Sequence, residues 1–111
     1  MMKRLTFLAL LLCCSTPVLA GKPNLDAGAA KAEQACASCH SKTGDKPIMP
    51  AYPKLAGQYA DYLEQALKDY KNGKRKNPIM AGMAAGLSED DIRNLAAWYA
   101  AQTPAVGILK Q

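Results

Sequence analysis

Apolar residues recur at helical spacing in three stretches of the chain. The first is an alanine-rich segment at residues 26–37, the second covers residues 58–70, and the third begins after Ser88 and ends near residue 102. No stretch shows the alternation of apolar and polar residues that is typical of a half-buried strand. The pattern therefore predicts an all-α fold with three main helices.

The ends of these helices carry recognisable signals. Asn24 or Asp26 is expected to begin the first helix, and Asn72 followed by Gly73 is expected to end the second. Ser88 is expected to cap the third helix, because three acidic residues then fall in the first turn, where the helix dipole is positive. The segments between the helices, residues 41–57 and residues 71–86, are predicted to be two long loops. Because such long loops are unusual in so small a domain, we expect them to surround a bound group.

The beginning of the chain has a different pattern. Lys3 and Arg4 precede a short apolar run, and small residues up to Ala20 fit a cleavage site. The run is well short of the ~18 apolar residues of a membrane span. We therefore expect residues 1–20 to be a cleaved secretory signal peptide, and residues 21–111 to form one periplasmic domain with no stable membrane insertion.

The chain has four cysteines, and the position of cleavage decides how many remain. A lipoprotein signal would place a lipid on Cys13 or Cys14, but neither follows the small residue that such a signal requires. Cleavage after Ala20 removes both, so that only Cys36 and Cys39 remain and no disulfide framework is available.

The formal net charge is +5, and it falls to +3 when Lys3 and Arg4 leave with the leader. This mild basicity is far from the strongly basic surface of a nucleic-acid-binding protein. We therefore expect no nucleic-acid partner.

The two remaining cysteines lie in the sequence Cys-Ala-Ser-Cys-His at residues 36–40, which is the attachment sequence of c-type haem. Thiols three residues apart at a helix end lie on one face, so both can add to the two vinyl groups along one porphyrin edge. The histidine follows directly and reaches the iron. The sequence therefore predicts one covalent haem c, held by Cys36 and Cys39 and ligated by His40.

Two other uses of such a cysteine pair fit less well. A thioredoxin-like redox pair needs a strand before it, whereas these cysteines end a predicted helix. A zinc site needs a fourth ligand, and the cleaved chain has no further Cys or His to supply one.

A second axial ligand must come from far along the chain. Residues 78–83 offer two thioethers, Met80 and Met83, and Met49 lies in a predicted loop as well. Because a methionine is more often core filler than a ligand, spacing alone gives Met80 only a modest advantage. A thioether ligand favours ferrous iron and saturates the metal, which suits electron transfer rather than the binding of a gas or a substrate.

These residues together give the chain a resemblance to the class I cytochromes c over nearly all of residues 21–111. The chain is most similar to the short bacterial kind related to the domains of dihaem respiratory cytochromes. The shared features are Gly28, the attachment sequence, Pro-Lys-Leu-Ala-Gly-Gln at residues 53–58, the Met-Ala-Gly-Met stretch, and the Leu-Ser pair that opens the last helix. The resemblance implies a cytochrome c-like fold around one haem.

The resemblance also implies roles for particular residues. Met80 rather than Met83 would be the second axial ligand, and the Pro53 carbonyl would accept the Nδ1 proton of His40. Arg75 would contact a haem propionate, with a merely solvated arginine as an equal alternative.

A close helix crossing is implied at Gly28, which would let the first helix approach the last near Leu95 and Trp98. Ala32 departs from the family, in which many members carry a bulky or aromatic residue at this position. We expect Trp98 or Tyr99 to fill the space that this smaller side chain leaves.

The function implied is that of a monomeric periplasmic electron carrier, and not an enzyme, between an upstream donor and a terminal oxidase or reductase. One alternative is a haem gas sensor or peroxidase-like enzyme with an open sixth position, and another is a bound subunit of a larger dehydrogenase. Against the first, His40 is the only histidine, so no second imidazole can serve as a distal acid or base. The chain also has two groups of basic residues, which either dock an acidic partner or form a solvated face. The first group is Lys42, Lys46 and Lys54, and the second is Lys71, Lys74, Arg75 and Lys76.

Overall fold

The computed structural model describes residues 16, 17 and 20–104 of the chain. The predicted signal peptide, residues 1–20, therefore lies almost entirely outside the described residues, and it stays a prediction. Among the described residues, no helix has both the length and the apolar character that crossing a membrane requires.

Five α-helices and no strand form the described part of the chain, which confirms the all-α prediction. They are α1 (Leu25–Ala35), α2 (Ala37–His40), α3 (Ala60–Asn72), α4 (Pro78–Ala85) and α5 (Glu89–Ala100). The three predicted helices correspond to α1, α3 and α5.

Helix α4 corrects the sequence-based prediction, because it occupies half of the segment 71–86 that was expected to be a loop. Pro78 stands at its first position, where a missing N–H does no harm. The Asn77 side chain caps the helix by accepting the backbone N–H groups of Ile79 and Met80, at 3.0 and 3.1 Å. The prediction was wrong here because the helix is apolar on all sides and has no amphipathic pattern to reveal it.

The first helix is also shorter than predicted. It begins after Asn24, whose side chain accepts the backbone N–H of Ala27 at 3.0 Å, and it ends at Ala35. Cys36 is its C-terminal cap with φ −118°, and a new short helix starts at the next residue. Cys36 therefore lies at the break itself and Cys39 in the short helix after it, and the two cysteines do not end one continuous helix.

Helices α1 and α5 cross closely at Gly28, as the resemblance implied. A Cβ atom on this glycine would stand 2.2 Å from the Asn94 carbonyl oxygen and 2.9 Å from the Trp98 Cβ. The Asn94 side chain also accepts the backbone N–H of Asn24, at 2.8 Å. Only a residue without a side chain permits this approach, so the crossing depends on glycine.

The core beside this crossing is small and lies mostly on α5. Ile92 and Leu95 are the largest side chains that are fully buried. Ala32 is fully buried in the same cluster as Tyr99, and Trp98 packs against that cluster. The aromatic pair of α5 therefore belongs to the same core as the small residue of α1, and the filling of the space beside Ala32 stays a prediction.

The capping residues of α3 and α5 confirm the sequence signals. Gly73 ends α3 in the left-handed conformation, with φ 82°. Ser88 and Asp91 form a reciprocal capping box at the start of α5, with both hydrogen bonds 3.0 Å long. Lys71 of α3 donates a hydrogen bond to the Leu87 carbonyl, which ties α3 to the start of α5.

Candidate functional site

A cavity of about 410 Å³ lies between α3, α4, α5 and the attachment sequence. Its walls are largely apolar and include Leu55, Leu63, Leu67 and Leu95. Gaps larger than a water molecule are rare inside a packed protein, whereas cofactor sites enclose several hundred Å³. The cavity therefore has the size and the character of a cofactor site.

All the site residues predicted from the sequence line this one cavity. They are Cys36, Cys39, His40, Pro53, Arg75, Met80 and Met83. Met49, which the sequence left as a further possible ligand, does not line the cavity and is 48% exposed.

His40 is held in one orientation by a hydrogen bond to the backbone. The imidazole is 7% exposed, and its Nδ1 lies 2.9 Å from the Pro53 carbonyl oxygen. Because a carbonyl oxygen can only accept, Nδ1 must carry the proton, which leaves the Nε2 lone pair free for a metal ion. The Tyr52 ring lies beside the imidazole, with the ring centroids 6.2 Å apart. The hydrogen bond from His40 to the Pro53 carbonyl is the contact that the resemblance implied.

The two cysteines carry free thiols at the wall of the cavity. Burial raises the pKa of the Cys36 thiol, so this sulfur is protonated at neutral pH. Addition of a thiol to a vinyl group places the sulfur on one carbon and a hydrogen on the other, so the reaction needs no further group from the chain. Two such thiols next to an imidazole fit a porphyrin that is attached through its two vinyl groups.

The two candidate methionines lie three residues apart on α4, so they share one face of that helix. Both line the cavity, Met80 as a partly buried residue and Met83 with 51% of its surface exposed. The backbone N–H of Met80 is fixed by the Asn77 cap.

Arg75 lies at the edge of the cavity between two tyrosines of α3. Its guanidinium donates a hydrogen bond to the Tyr62 hydroxyl at 3.3 Å and stands 4.8 Å from the centre of the Tyr70 ring. The hydrogen bond to Tyr62 is the largest contribution that raises the pKa of Arg75, so the side chain stays charged. A cation at this place can pair with a carboxylate at the cavity edge.

Some residues that shape the site were not predicted from the sequence. Tyr52 lies beside His40 within the predicted first loop, where no pattern marks it. Ser41, directly after the attachment sequence, has φ 68°, which nothing in the residue type foretells. Tyr99 was expected only to fill space, yet it also lines the cavity. For Tyr99 one signal was available in the sequence. The implied crossing of the first and last helices near Trp98 brings the next residue, Tyr99, close to the end of the first helix.

Comparison with known proteins gives consistent results. The family described as "Cytochrome C oxidase, cbb3-type, subunit III" matches residues 23–98. Cytochrome c-554(548) of Halomonas halodenitrificans is 44% identical over 70 residues, which are 60% of this chain and 83% of that protein. Cytochrome c4 of Pseudomonas aeruginosa is 42% identical over 84 residues, 75% of this chain but 41% of that protein.

A solved structure shows the same fold. Reduced recombinant cytochrome c4 from Pseudomonas stutzeri superimposes with a TM-score of 0.64 and 29% sequence identity, over 77% of this chain and 53% of that one. The chain thus spans about half of the solved cytochrome c4 chain and about two fifths of the Pseudomonas aeruginosa protein.

An all-α chain that presents two thiols and an imidazole to one apolar cavity has the make-up of a c-type cytochrome. The family match and the relatives agree, and the chain belongs to the cytochrome c family as a class I c-type cytochrome. Its cofactor is one covalently bound haem c, and its activity is electron transport.

Proposed function

We propose that this cytochrome is a diffusible, monomeric carrier in the periplasm, which passes single electrons between an upstream donor and a terminal oxidase or reductase. The proposal depends above all on the fixed imidazole of His40, with Nδ1 bound to the Pro53 carbonyl and Nε2 free. When bound, the haem iron supplies a reversible one-electron couple. The role of the polypeptide is to ligate the iron, to enclose the haem and to exclude water from it.

The proposed axial ligands are His40 and Met80. The Pro53 carbonyl keeps the imidazole in the tautomer that a metal requires and makes Nε2 a better donor. For the sixth position Met80 is favoured over Met83, because it is the more buried of the two and because the Asn77 cap fixes its backbone. Arg75 is proposed to pair with a haem propionate at the cavity edge, where its guanidinium is already held between Tyr62 and Tyr70.

An enzyme with an open sixth position is disfavoured by the residues of the cavity. A peroxidase-like reaction needs a distal acid or base, and the single histidine of the chain is already used as the proposed ligand. Among the described residues, the lining of the cavity includes the polar side chains of Gln58, Asn77, Lys54 and Arg75 and several tyrosines, but no carboxylate. We therefore propose that the protein transfers electrons without catalysing a reaction on a bound substrate.

A bound subunit of a larger complex is the second candidate, since the matched family is described as an oxidase subunit. The chemistry at the haem would be unchanged. Purification from the native host separates the two, because a free carrier elutes alone at its own mass and a subunit elutes with its complex.

The visible spectrum in both oxidation states is the most direct test of the proposed ligation. A histidine–methionine pair gives a low-spin spectrum in both states, with the thioether-to-iron band in the ferric protein. Carbon monoxide added to the reduced protein should leave that spectrum unchanged. A high-spin spectrum, or rapid binding of carbon monoxide, would show an open site and would refute the carrier proposal.

Location is tested separately, by fractionation of cells that produce the full chain. Haem-bearing protein is expected in the periplasmic fraction, with the mass of residues 21–111 plus one haem. Recovery in the membrane fraction with a lipid attached would instead support the lipoprotein signal.

Docking of an acidic partner is proposed for the basic residues near the cavity. Lys54 and Arg75 line it directly. Lys42 is a weaker candidate, because it already pairs with Glu33 at 3.0 Å. Turnover with a redox partner should fall as the ionic strength rises, and turnover that does not depend on salt would exclude electrostatic docking.

A further inference from the structure

The residue directly after His40 has a costly backbone conformation. Ser41 has φ 68° and ψ 162°, a region that is populated almost only by glycine. It is the single non-glycine residue with positive φ in the part of the chain that the structure describes. Such a conformation persists only where the surroundings hold it, so the contacts of Ser41 need an explanation.

Two neighbouring residues of α5 hold the two carbonyls that follow His40. The Tyr99 hydroxyl donates to the Ser41 carbonyl at 3.2 Å, and the Trp98 indole Nε1–H donates to the Lys42 carbonyl at 2.8 Å. These pairs are 58 and 56 residues apart in the sequence, so the contacts are tertiary and not part of a local turn.

Both donors suit this task. An indole N–H can only donate, and it needs an acceptor when it is half-buried. The Tyr99 side chain is 3% exposed, and burial raises the pKa of its hydroxyl, so the group stays protonated and available as a donor. The Cys36 thiol lies near the same hydroxyl and also raises its pKa, so Tyr99 stands close to both ends of the attachment segment.

The Ser41 side chain provides a second, local set of contacts. Its Oγ accepts the backbone N–H of Gly44 at 3.0 Å and that of Lys46 at 3.3 Å, and it donates to the Asp45 carboxylate at 3.1 Å. A test of the α5 contacts must therefore separate the backbone conformation of Ser41 from the contacts of its hydroxyl.

We propose that Trp98 and Tyr99 are positioning residues for His40. By holding the carbonyls of residues 41 and 42, they keep Ser41 in its positive-φ conformation and thereby fix the direction in which the imidazole enters the cavity. Neither aromatic side chain is proposed as a ligand. The inference rests on the proposed role of His40 as an iron ligand.

The holoprotein carrying Tyr99→Phe tests this directly, because the change removes one hydroxyl and keeps the ring. The chain has one tryptophan and one histidine, so the Trp98 indole proton and the His40 Nδ1 proton each give a unique NMR signal in the reduced protein. Loss of one net hydrogen bond should speed the exchange of both protons with solvent about fivefold. Tyr59→Phe, at an exposed tyrosine that does not line the cavity, should leave both rates unchanged.

A merely structural role for Tyr99 gives a different result. In that case Tyr99→Phe would lower the global stability. The backbone amides of α3 would then exchange faster by the same factor as the two reporter protons, which are the Trp98 indole proton and the His40 Nδ1 proton. That outcome overturns the proposal, as do reporter rates that do not change at all. Trp98→Phe, which removes the indole N–H, provides a second arm with the same expectation at the His40 proton.

Two substitutions at residue 41 test the role of the strained backbone. Ser41→Gly and Ser41→Ala both remove the hydroxyl, but only glycine adopts φ 68° without cost. The effect of Tyr99→Phe on the His40 proton should persist in the Ser41→Ala background and fall below about twofold in the Ser41→Gly background. Equal effects in both backgrounds would show that the contacts do not act through Ser41.

The two proposals fail in distinguishable ways. A low-spin spectrum of the unaltered protein together with unchanged exchange rates in Tyr99→Phe overturns the positioning role alone. An open-site spectrum of the unaltered protein overturns the proposed axial ligation, whatever the exchange rates are.

Discussion

The two sides of the cavity hold their proposed ligands in different ways. On the attachment side, His40 is bound through Nδ1 to the Pro53 carbonyl, and the residue after it is held by Tyr99 from the other end of the chain. On the methionine side, Met80 lies on α4, where the hydrogen bonds are local and begin with the Asn77 cap. One side is fixed by tertiary hydrogen bonds, and the other by a short capped helix that packs against α3.

This difference predicts where the molecule tolerates change. A contact that joins distant parts of the chain cannot be lost without loosening the packing around it, whereas a short helix at the surface can shift without unfolding the domain. We therefore expect loss of the haem attachment, or of the helix crossing behind it, to affect the whole fold. Damage on the methionine side should change the spectrum and leave the fold in place.

Loss of both attachment thiols should have the largest effect. In the variant Cys36→Ser/Cys39→Ser, no covalent haem can form, and a domain of about 90 residues with so small a core should lose most of its helical structure. Intact mass and far-ultraviolet circular dichroism measure the two effects. Ser38→Ala, within the same motif, is the control and should mature normally. A well-folded double variant would show that the attachment side does not organise the fold.

Loss of the sixth ligand comes next. Met80→Ala should abolish the thioether band of the ferric protein while the haem stays attached and the helical signal remains. Met83→Ala is the matched control, because this residue lies on the same face of α4, and it should retain the band. The reverse result would assign the ligand to Met83, and unfolding of Met80→Ala would contradict the expected tolerance of the methionine side.

The helix crossing behind the attachment side should be sensitive to a single methyl group. Gly28→Ala would place a Cβ atom 2.2 Å from the Asn94 carbonyl oxygen, so α1 and α5 must separate. We expect the free energy of unfolding to fall by about 1–3 kcal/mol, as for other overpacked sites, measured by denaturant titration. Gly86→Ala, at the end of α4, meets nothing within 4 Å and should change it by less than about 0.5 kcal/mol.

The smallest expected effect is a pH dependence at the start of α5. A hydrogen bond from the Ser88 backbone N–H holds the pKa of the Asp91 carboxyl below its usual value. A carboxyl group with a lowered pKa stabilises the fold above its unfolded pKa of about 4, and this stabilisation is lost as the pH falls through the folded value. Because solvent screens this exposed group, the contribution should be under about 1 kcal/mol.

Asp91→Asn tests this through the denaturation midpoint, measured between neutral pH and the acid range. The variant should lose stability at neutral pH and show a weaker acid dependence than the unaltered protein. Asp90→Asn is the control, because that carboxylate pairs with Arg93 instead. Identical pH profiles for Asp91→Asn and the unaltered protein would show that the capping box does not titrate.

The sequence predicts the attachment side better than the methionine side. The attachment motif, the Gly28 crossing and the Ser88 cap depend on residue types with few alternatives, so their positions follow directly from the sequence. Helix α4 does not, because a short apolar segment with a proline and an internal glycine resembles a loop. The Asn-Pro pair at its start is nevertheless typical of a helix N-terminus, where the asparagine caps the helix and the proline occupies its first position.

Other features depend on tertiary contacts that no local pattern reveals. The break at Cys36 falls inside an alanine-rich run that favours a continuous helix. The positive φ of Ser41 runs against the preference of its residue type, and the carbonyls of Ser41 and Lys42 are bound by side chains more than fifty residues away. Such positions are set by the assembled molecule, and they are understood only from its structure.

The long-range contacts of α5 also set an order of events for the maturing chain. The attachment sequence lies nearly sixty residues before Trp98 and Tyr99, and Asn24 precedes its partner Asn94 by 70 residues. Because the chain without haem is expected to lack most of its helical structure, these contacts do not enclose the two thiols before the porphyrin is attached. The docking of α5 over this segment therefore follows the attachment and closes it off from solvent.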